Sequence, residues 1–430
     1  MADIKPLRAW RYSVRLAEQI PELISPLYDV VSEEQKEILY QRPNNSLHLS
    51  LPQDGSAVVA KKTLDDWKKN KVIEQDPLPA FYVLYQYFRI PKSEKLYCRK
   101  GFVCHIRAHD WEEEIVIRHE RTIPKTVARQ TELLDALQMH TSAVHGLYTD
   151  ASFELEPHMD DAAAAPLGEV TDYQGVRNVL GVIHDAEVIK KFMTVLRAKQ
   201  VIIADGHHRY SSTLAFAQEK RKENPSFTGE EGFNFNLMYL TNAASDDLVI
   251  LPTHRLMQKL PRFDPEEVKQ KLMPYFELAA VKDSSLLPEL IARKKHSFGI
   301  IFKEENLTVA LKPKLDDVDW DLPEAVKALD LSILHHYIIE KALGIPAEQQ
   351  VGSEHIRFCQ DLETCIAKVE SGEIQMALIA SPVTAEEMQK ACDGKNVMPQ
   401  KSTFFYPKVI CGLFFSSILE DEFNALCTPF

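Results

Sequence analysis

Seven cysteines are spread over 430 residues, and no two of them form a CxxC pair. An odd number without that spacing argues against a disulfide framework and against a structural zinc site, so reduced, partly buried thiols are expected. HExxH and partnered His-x-His patterns are missing too, despite 15 histidines, which removes the usual tight zinc sites of hydrolases. The chain contains no uninterrupted apolar run of the ~18 residues needed to span a bilayer. Its start, Met1-Ala2-Asp3-Ile4-Lys5-Pro6, lacks the apolar core of a signal peptide. A cytoplasmic protein without a membrane partner is the resulting expectation. Neither Gly/Ser-rich nor Pro-rich tracts occur, nor any repeat of ~20 to 50 residues, so disorder and solenoid architectures are set aside. Basic side chains are the minority. Against 63 Asp and Glu there are 50 Lys and Arg, a net charge of -13 that repels a nucleic-acid backbone and disfavours DNA or RNA as partners.

What is present fits an ordinary globular protein, with 45% hydrophobic and 26% charged residues. At ~150 residues per domain the length suggests two or three domains. We divide the chain into an N-terminal mixed section with a β-rich lobe (1–122), a central α/β core (123–255) and a C-terminal α/β section (256–430). Strands are predicted at Phe81–Phe88 and Glu114–Ile117 from aromatic and β-branched runs. Ser32-Glu33-Glu34-Gln35 has the pattern of a capping box, and Thr63–Trp67 suggests a second helix. Pro124 suits the first turn of a helix reaching towards His140. A helix over Asp185–Ala198 leads into Val201-Ile202-Ile203-Ala204, a short apolar run of the buried-strand type, and the next helix is predicted over Ser211–Glu223. Further strands are expected at Phe235–Thr241, Leu248–Pro252, Ile374–Ala380 and within Phe404–Phe415. A hairpin is expected over Ser297–Leu311, with helices over Asp264–Phe276 and Ala325–Leu343.

Three polar clusters interrupt this pattern. The first, Asp205-Gly206-His207-His208-Arg209, sits where a buried strand ends in a glycine turn and opens a helix. Free backbone N–H groups and the positive helix end make such a turn a seat for an anionic phosphate. Arg209 suits a forked contact to phosphate oxygens, and Asp205 could orient a histidine, hold a metal or accept a proton. The second, Arg118-His119-Glu120-Arg121-Thr122 with Lys125 and Arg129, gathers basic groups around one carboxylate, a composition suited to a polyanion with Glu120 as base or metal ligand. A solvated salt-bridge patch has the same composition. The third, Met398-Pro399-Gln400-Lys401-Ser402-Thr403 followed by Tyr406-Pro407-Lys408, could meet phosphate but lacks the glycines of a Walker loop. One phosphate site is simpler than three, so the turn at Gly206 is expected within a few ångströms of Arg118, Arg121 or Lys401. His335-His336 is read as a core or edge feature, because adjacent residues point to different helix faces.

With Pro26-Leu27-Tyr28-Asp29-Val30 and Leu251-Pro252-Thr253-His254-Arg255 added, these motifs together resemble the bacterial and archaeal family known as domain of unknown function 1015. The central motif is also similar to the phosphate-binding box of the ParB/sulfiredoxin superfamily, in which a strand, a Gly-x-x-Arg turn and a helix hold nucleotide phosphates. The resemblance implies a mixed α/β fold with a ParB/sulfiredoxin-like core. His207 and His208 stand where sulfiredoxins carry a cysteine, which speaks against sulfinic-acid reduction. No helix-turn-helix of the chromosome-partitioning members follows. Free-serine kinases of this superfamily carry a similar Asp-Gly-His turn and move a phosphoryl group from a nucleotide or pyrophosphate to L-serine.

That likeness implies a small-molecule phosphotransferase with a phosphorylated donor, a small hydroxyl acceptor and Mg²⁺. Glu120 or Asp29 would be the base, acting with Asp205 and His207. Gly206, His208, Arg209, Arg118, His119, Arg121, Lys125, Lys401, Ser402 and Thr403 would bind phosphate or substrate. A phosphatase directing the same chemistry at water, and a non-catalytic nucleotide switch of ParB type, are the alternatives.

Overall fold

The computed structural model describes residues 1–91, 93–313, 322–394 and 396–423. They form two compact units. One comprises the described residues of Met1–Arg118, Thr122–Val249 and Pro407–Phe430, the other those of His119–Arg121 and Ile250–Tyr406.

The first unit is built on a nine-stranded mixed sheet. From edge to edge its strands are Val116–Ile117, Val201–Asp205, Val144–Tyr148, Phe235–Asn242, Tyr97–Arg107, Phe81–Phe88, Arg177–Ile183 and Gly168–Thr171, with Ile4–Lys5 added beside Tyr97–Arg107. Phe81–Phe88, predicted from the sequence, lies in the middle of this sheet beside Tyr97–Arg107, and of the predicted Glu114–Ile117 only Val116–Ile117 is strand, at the edge. Strand side chains alternate between faces, so a sheet covered on both sides shows continuous apolar runs instead of every-other-residue patterning. Phe81, Val83 and Tyr85 enter one core layer with Phe102, Cys104 and Phe192, and the helix Ala186–Arg197 closes it with Ile189 and Leu196. Tyr82, Leu84 and Val103 enter the opposite layer with Leu237 and Tyr239, which Val409, Ile410, Leu413 and Phe414 cover. The last segment of the unit is therefore anchored on the sheet by its own apolar residues, and it carries Lys408 with it.

The second unit has a six-stranded antiparallel sheet, ordered Phe276–Val281, Asn306–Leu311, Ser297–Ile301, Met376–Ile379, His254–Met257 and Ile356–Cys359. Leu287 and Ile291 from one helix and Cys365 and Val369 from another pack on Leu256, Ile301, Ala377 and Ile379.

The mixed α/β expectation holds, and most predicted elements are present. Ser32 caps Glu33–Tyr40 through a complete capping box, Pro124 opens Pro124–Leu137, and Asp185 caps Ala186–Arg197. Several boundaries differ, and the differences are largest in four places. The helix after the glycine turn begins at His207, four residues earlier than predicted, because Gly206 itself forms its N-cap. The helix expected over Asp264–Phe276 covers Pro265–Leu272, and Phe276 starts a strand whose register with Leu311 buries it. Only Phe404–Tyr406 of Phe404–Phe415 is strand. In place of one helix over Ala325–Leu343 there are short turns at Glu324–Lys327 and Asp330–Ile333 and a π-helix at Leu334–Ala342.

The six described cysteines are all free thiols, with Cys98 and Cys104 on the same strand, and Cys427 lies outside the described residues. Among the described residues no helix is long and apolar enough to cross a membrane.

Candidate functional site

In the first unit the strand Val201–Asp205 is buried until its last residue, so the chain must turn with a polar group at the surface of the core. Gly206 makes the turn at φ +95°, in the left-handed region where a side chain is strained. Space excludes one as well, since a Cβ there would lie 2.8 Å from Nη2 of Arg209. Arg209 is buried and folds back across the glycine. Its Nη2 donates to Oδ2 of Asp205 at 2.8 Å, and its Nη1 donates to the carbonyl of Ala143. Lys408 approaches the other side of the same carboxylate and donates to Oδ1 of Asp205.

A third cation lies nearby. Arg99 is almost fully buried, donates through Nε to Oε1 of Gln86 at 3.1 Å and through Nη2 to the Pro407 carbonyl, and rests over the Tyr239 ring. Among the described residues its buried Nη1 has no hydrogen-bond partner. Burial draws the Arg99 guanidinium below its ordinary range, with Tyr239 and Asp205 acting in the opposite sense. His145 donates to or accepts from Thr241 Oγ1 at 2.8 Å. Burial holds its imidazole neutral, well below 6.5, and Arg99, Lys408 and Arg209 push the same way against Asp205. Arg209 and Lys408 thus share the Asp205 carboxylate, and the charge of the buried Arg99 is felt in the same low-dielectric setting.

The remaining residues predicted for this unit fall around the turn in different ways. Nε2 of His208 accepts from the backbone N–H of Ile123 at 2.9 Å, which fixes the proton on Nδ1 and ties the start of the helix Pro124–Leu137 to the turn. His207 is buried in the first turn of its helix. Asp29 is exposed beside Tyr28. Burial raises the Tyr28 phenol, with Asp29 adding to the rise, Arg209 opposing it and Asp205 adding again, so the four share one electrostatic neighbourhood. Arg118 stacks 4.8 Å over Trp111, whose ring packs against Tyr210, the residue after Arg209. Lys125 is exposed in the first turn of Pro124–Leu137.

In the second unit His119 and Glu120 of the second predicted cluster meet the Met398–Thr403 loop of the third. The backbone N–H of Met398 donates to the His119 carbonyl at 2.8 Å, and Nε2 of His119 lies 2.9 Å from Thr403 Oγ1. Glu120 Oε1 accepts from the N–H of Lys401 at 3.3 Å, while Ser402 closes the loop onto the Pro399 carbonyl at 2.6 Å. Lys401 itself has φ +56°, a conformation that non-glycine residues adopt at a cost and that recurs at functional sites. Arg255, fully buried, donates through Nη2 to the carbonyls of Gln400 and Lys401 and through Nε to His335. Burial draws its guanidinium down to about 9, with Glu120 opposing, so it remains charged at neutral pH. Of the basic groups expected beside Gly206, Arg118 belongs to the same unit, and Arg121 and Lys401 belong to the second. Among the described residues no group of three or more His, Cys, Asp or Glu side chains gathers in the manner of a metal cage.

Arg99 and His145 were not singled out from the sequence, and His335 was read there as a core or edge feature. One signal was available for Arg99, because alternation along Tyr97–Arg107 puts it on the same face as the buried Val103. An arginine on an apolar strand face marks a buried cation.

The fold and these contacts define a mixed α/β protein with buried cations gathered at a strand-to-helix turn. Residues 4–332 match the family described as "Protein of unknown function (DUF1015)", and the chain belongs to that family. The Met398–Thr403 cluster lies beyond the matched residues. No curated protein matches the chain. Solved structures with a similar fold include a free serine kinase in complex with AMP, 13% identical, with a TM-score of 0.39 over 76% of this chain and 97% of the kinase. A conserved hypothetical protein from Pyrococcus furiosus is 12% identical, with a TM-score of 0.37 over 75% and 97%. SbnI with C-terminal truncation from Staphylococcus aureus is 11% identical, with a TM-score of 0.34 over 73% and 87%.

Proposed function

We propose that this protein is a small-molecule phosphotransferase that phosphorylates free L-serine to O-phosphoserine, with pyrophosphate or a nucleotide as donor. The observation that carries the reading is the gathering of three buried cations, Arg99, Arg209 and Lys408, near the Asp205 turn, with one buried guanidinium nitrogen of Arg99 unsatisfied among the described residues. Clustered buried cations are costly, and an anion seated among them improves the charge balance. A compact polyanion seated at a glycine turn, before a helix N-terminus, supplies that balance. The similarity of the Asp-Gly-His-His-Arg turn to free-serine kinases supplies the reaction class and the acceptor.

In this reading the turn holds donor phosphates through the Gly206 region, Arg209, Lys408 and Arg99. His208 is committed to the Ile123 N–H and serves to position the turn. We assign the base to Asp29, which shares the electrostatic neighbourhood of Tyr28 with Asp205 and Arg209. Glu120 is the other candidate. Asp29 would hold a Mg²⁺ ion in this unit, and such an ion would supply positive charge against the donor phosphates. The free thiols fit a reducing compartment, and we place the reaction in the cytoplasm.

Phosphorus NMR of the protein with Mg²⁺, a panel of hydroxy amino acids and ATP, ADP or pyrophosphate tests the proposal. The O-phosphoserine resonance should grow only when serine and a donor are both present. Failure to form it, together with failure to dephosphorylate added O-phosphoserine, would refute the serine assignment. Dephosphorylation alone would favour a phosphatase.

A further inference from the structure

The second unit contains a cavity of about 220 Å³ that none of the foregoing chemistry uses. Val326, Phe358, Val397, Met398 and Pro399 make most of its wall apolar. An apolar cavity of ~150 Å³ admits a benzene ring, so this one accommodates a larger, substituted ring.

Polar groups enter at several points, of which three bear on the ligand, while the Glu340 carboxylate in the lining is engaged by Nδ1 of His336 at 3.0 Å. Ser332 is 3% exposed, lines the cavity, and its Oγ has no hydrogen-bond partner among the described residues. A buried hydroxyl left unpaired is unfavourable, and a ligand atom able to donate or accept would relieve it. His335 forms another part of the wall with both ring nitrogens engaged. Nδ1 donates to Gln350 Oε1 at 2.7 Å, and Nε2 accepts from Arg255 Nε at 3.2 Å. Burial and the Arg255 charge push this imidazole down to about 3, so it offers a neutral, fixed ring. Phe358 is held in turn by Arg255, whose guanidinium carbon lies 5.4 Å from the ring centre. The third group is Arg121, an exposed cation in the lining.

Both His335 and His336 line the cavity, the first held by Gln350 and Arg255 and the second by Glu340. They stand on the π-helix Leu334–Ala342, and π-helical turns concentrate at functional sites.

We propose that this cavity binds a planar heteroaromatic ring bearing an anionic group, with Ser332 hydrogen-bonded to a ring heteroatom and Arg121 paired with the anion. A purine nucleotide and an indole-type carboxylic acid share that chemistry. The inference does not depend on phosphoryl transfer at Gly206, and it is tested by binding alone.

Calorimetric titration of the full chain with adenosine 5′-monophosphate and, separately, with indole-3-acetate distinguishes the two sources. At least one should bind. Ser332→Ala should weaken that ligand about tenfold, the scale of one hydrogen bond to a buried group, without lowering Tm, because the substitution removes an unsatisfied hydroxyl. Arg121→Gln should weaken the same ligand, and Val326→Trp, which fills the cavity, should abolish binding. Should Val326→Trp not fold, Ser332→Ala decides. Binding of neither probe, or affinity unchanged by Ser332→Ala, overturns the proposal.

Discussion

Nη2 of Arg209 lies 2.8 Å from Oδ2 of Asp205, and the two side chains close a bridge over Gly206. The glycine is required twice, by its φ of +95° and by the 2.8 Å that would separate a Cβ from the same Nη2. Gly206→Ala should therefore displace Arg209 and cost about 1–3 kcal/mol of strain. Pyrophosphate affinity should fall about tenfold in calorimetry, a loss of ~1.4 kcal/mol. A variant with wild-type stability and affinity would show that the bridge is dispensable.

Arg209 has a structural role as well as a charge. It is buried, and it donates to the Ala143 carbonyl in addition to Asp205. Its removal is therefore costly to the fold, because breaking a buried pair costs about 3–5 kcal/mol. Urea denaturation of Arg209→Ala should show a loss of this size, and a loss under ~1 kcal/mol would contradict it.

The two candidate bases are separable by kinetics. Asp29→Asn should lower turnover by ~10² to 10⁴ with donor binding retained, and Glu120→Gln should have a smaller effect. The reverse order would assign the base to Glu120. Glu120 also accepts the Lys401 N–H at 3.3 Å, so its substitution should additionally loosen the Met398–Thr403 loop, detectable as faster hydrogen exchange there.

Stability should depend on pH through buried neutral histidines. Burial holds both His140 and His254 down to about 4, against an ordinary value of 6.5. Above pH 6.5 neither the folded nor the unfolded chain is protonated at these sites, and nothing is lost. As pH falls from about 6.5 towards 4, the unfolded chain takes up protons that the folded chain refuses. Each histidine then destabilises the fold by on the order of 1 kcal/mol per pH unit. The urea midpoint should drop between pH 7.5 and pH 5. An unchanged or higher midpoint at pH 5 would contradict this.

Local signals in the sequence located the elements that carry the chemistry. The Ser32 capping box, Pro124 at a helix start and the apolar run before Asp205 each specify local geometry with their own residues. They were legible for that reason. The Gly206 turn was legible as a polar interruption between a buried strand and a helix, although the helix started earlier because the glycine's left-handed conformation served as the cap. Partners supplied by distant chain segments were not legible. Arg99 arrives from a central strand and Lys408 from a segment anchored by Val409 and Ile410, more than 100 residues away from the turn in each direction. The π-helix was hidden for a different reason, since an apolar helical run carries no mark that distinguishes one hydrogen-bond pattern from the other.

The account rests on an anion site at the Gly206 turn, and Arg99 gives the most direct access to it. Titration of pyrophosphate with Mg²⁺ into the wild-type protein and Arg99→Met, followed by calorimetry, isolates the buried cation whose Nη1 has no hydrogen-bond partner among the described residues. Methionine keeps much of the stem without the charge but leaves Gln86 Oε1 and the Pro407 carbonyl unpaired, so the ligand-free variant should fold with a lowered Tm, at a cost of about 1–3 kcal/mol per acceptor. Its pyrophosphate affinity should fall at least tenfold, about 1.4 kcal/mol or more. Absence of pyrophosphate binding to the wild type, or equal affinity in both proteins, would contradict an anion site at this turn.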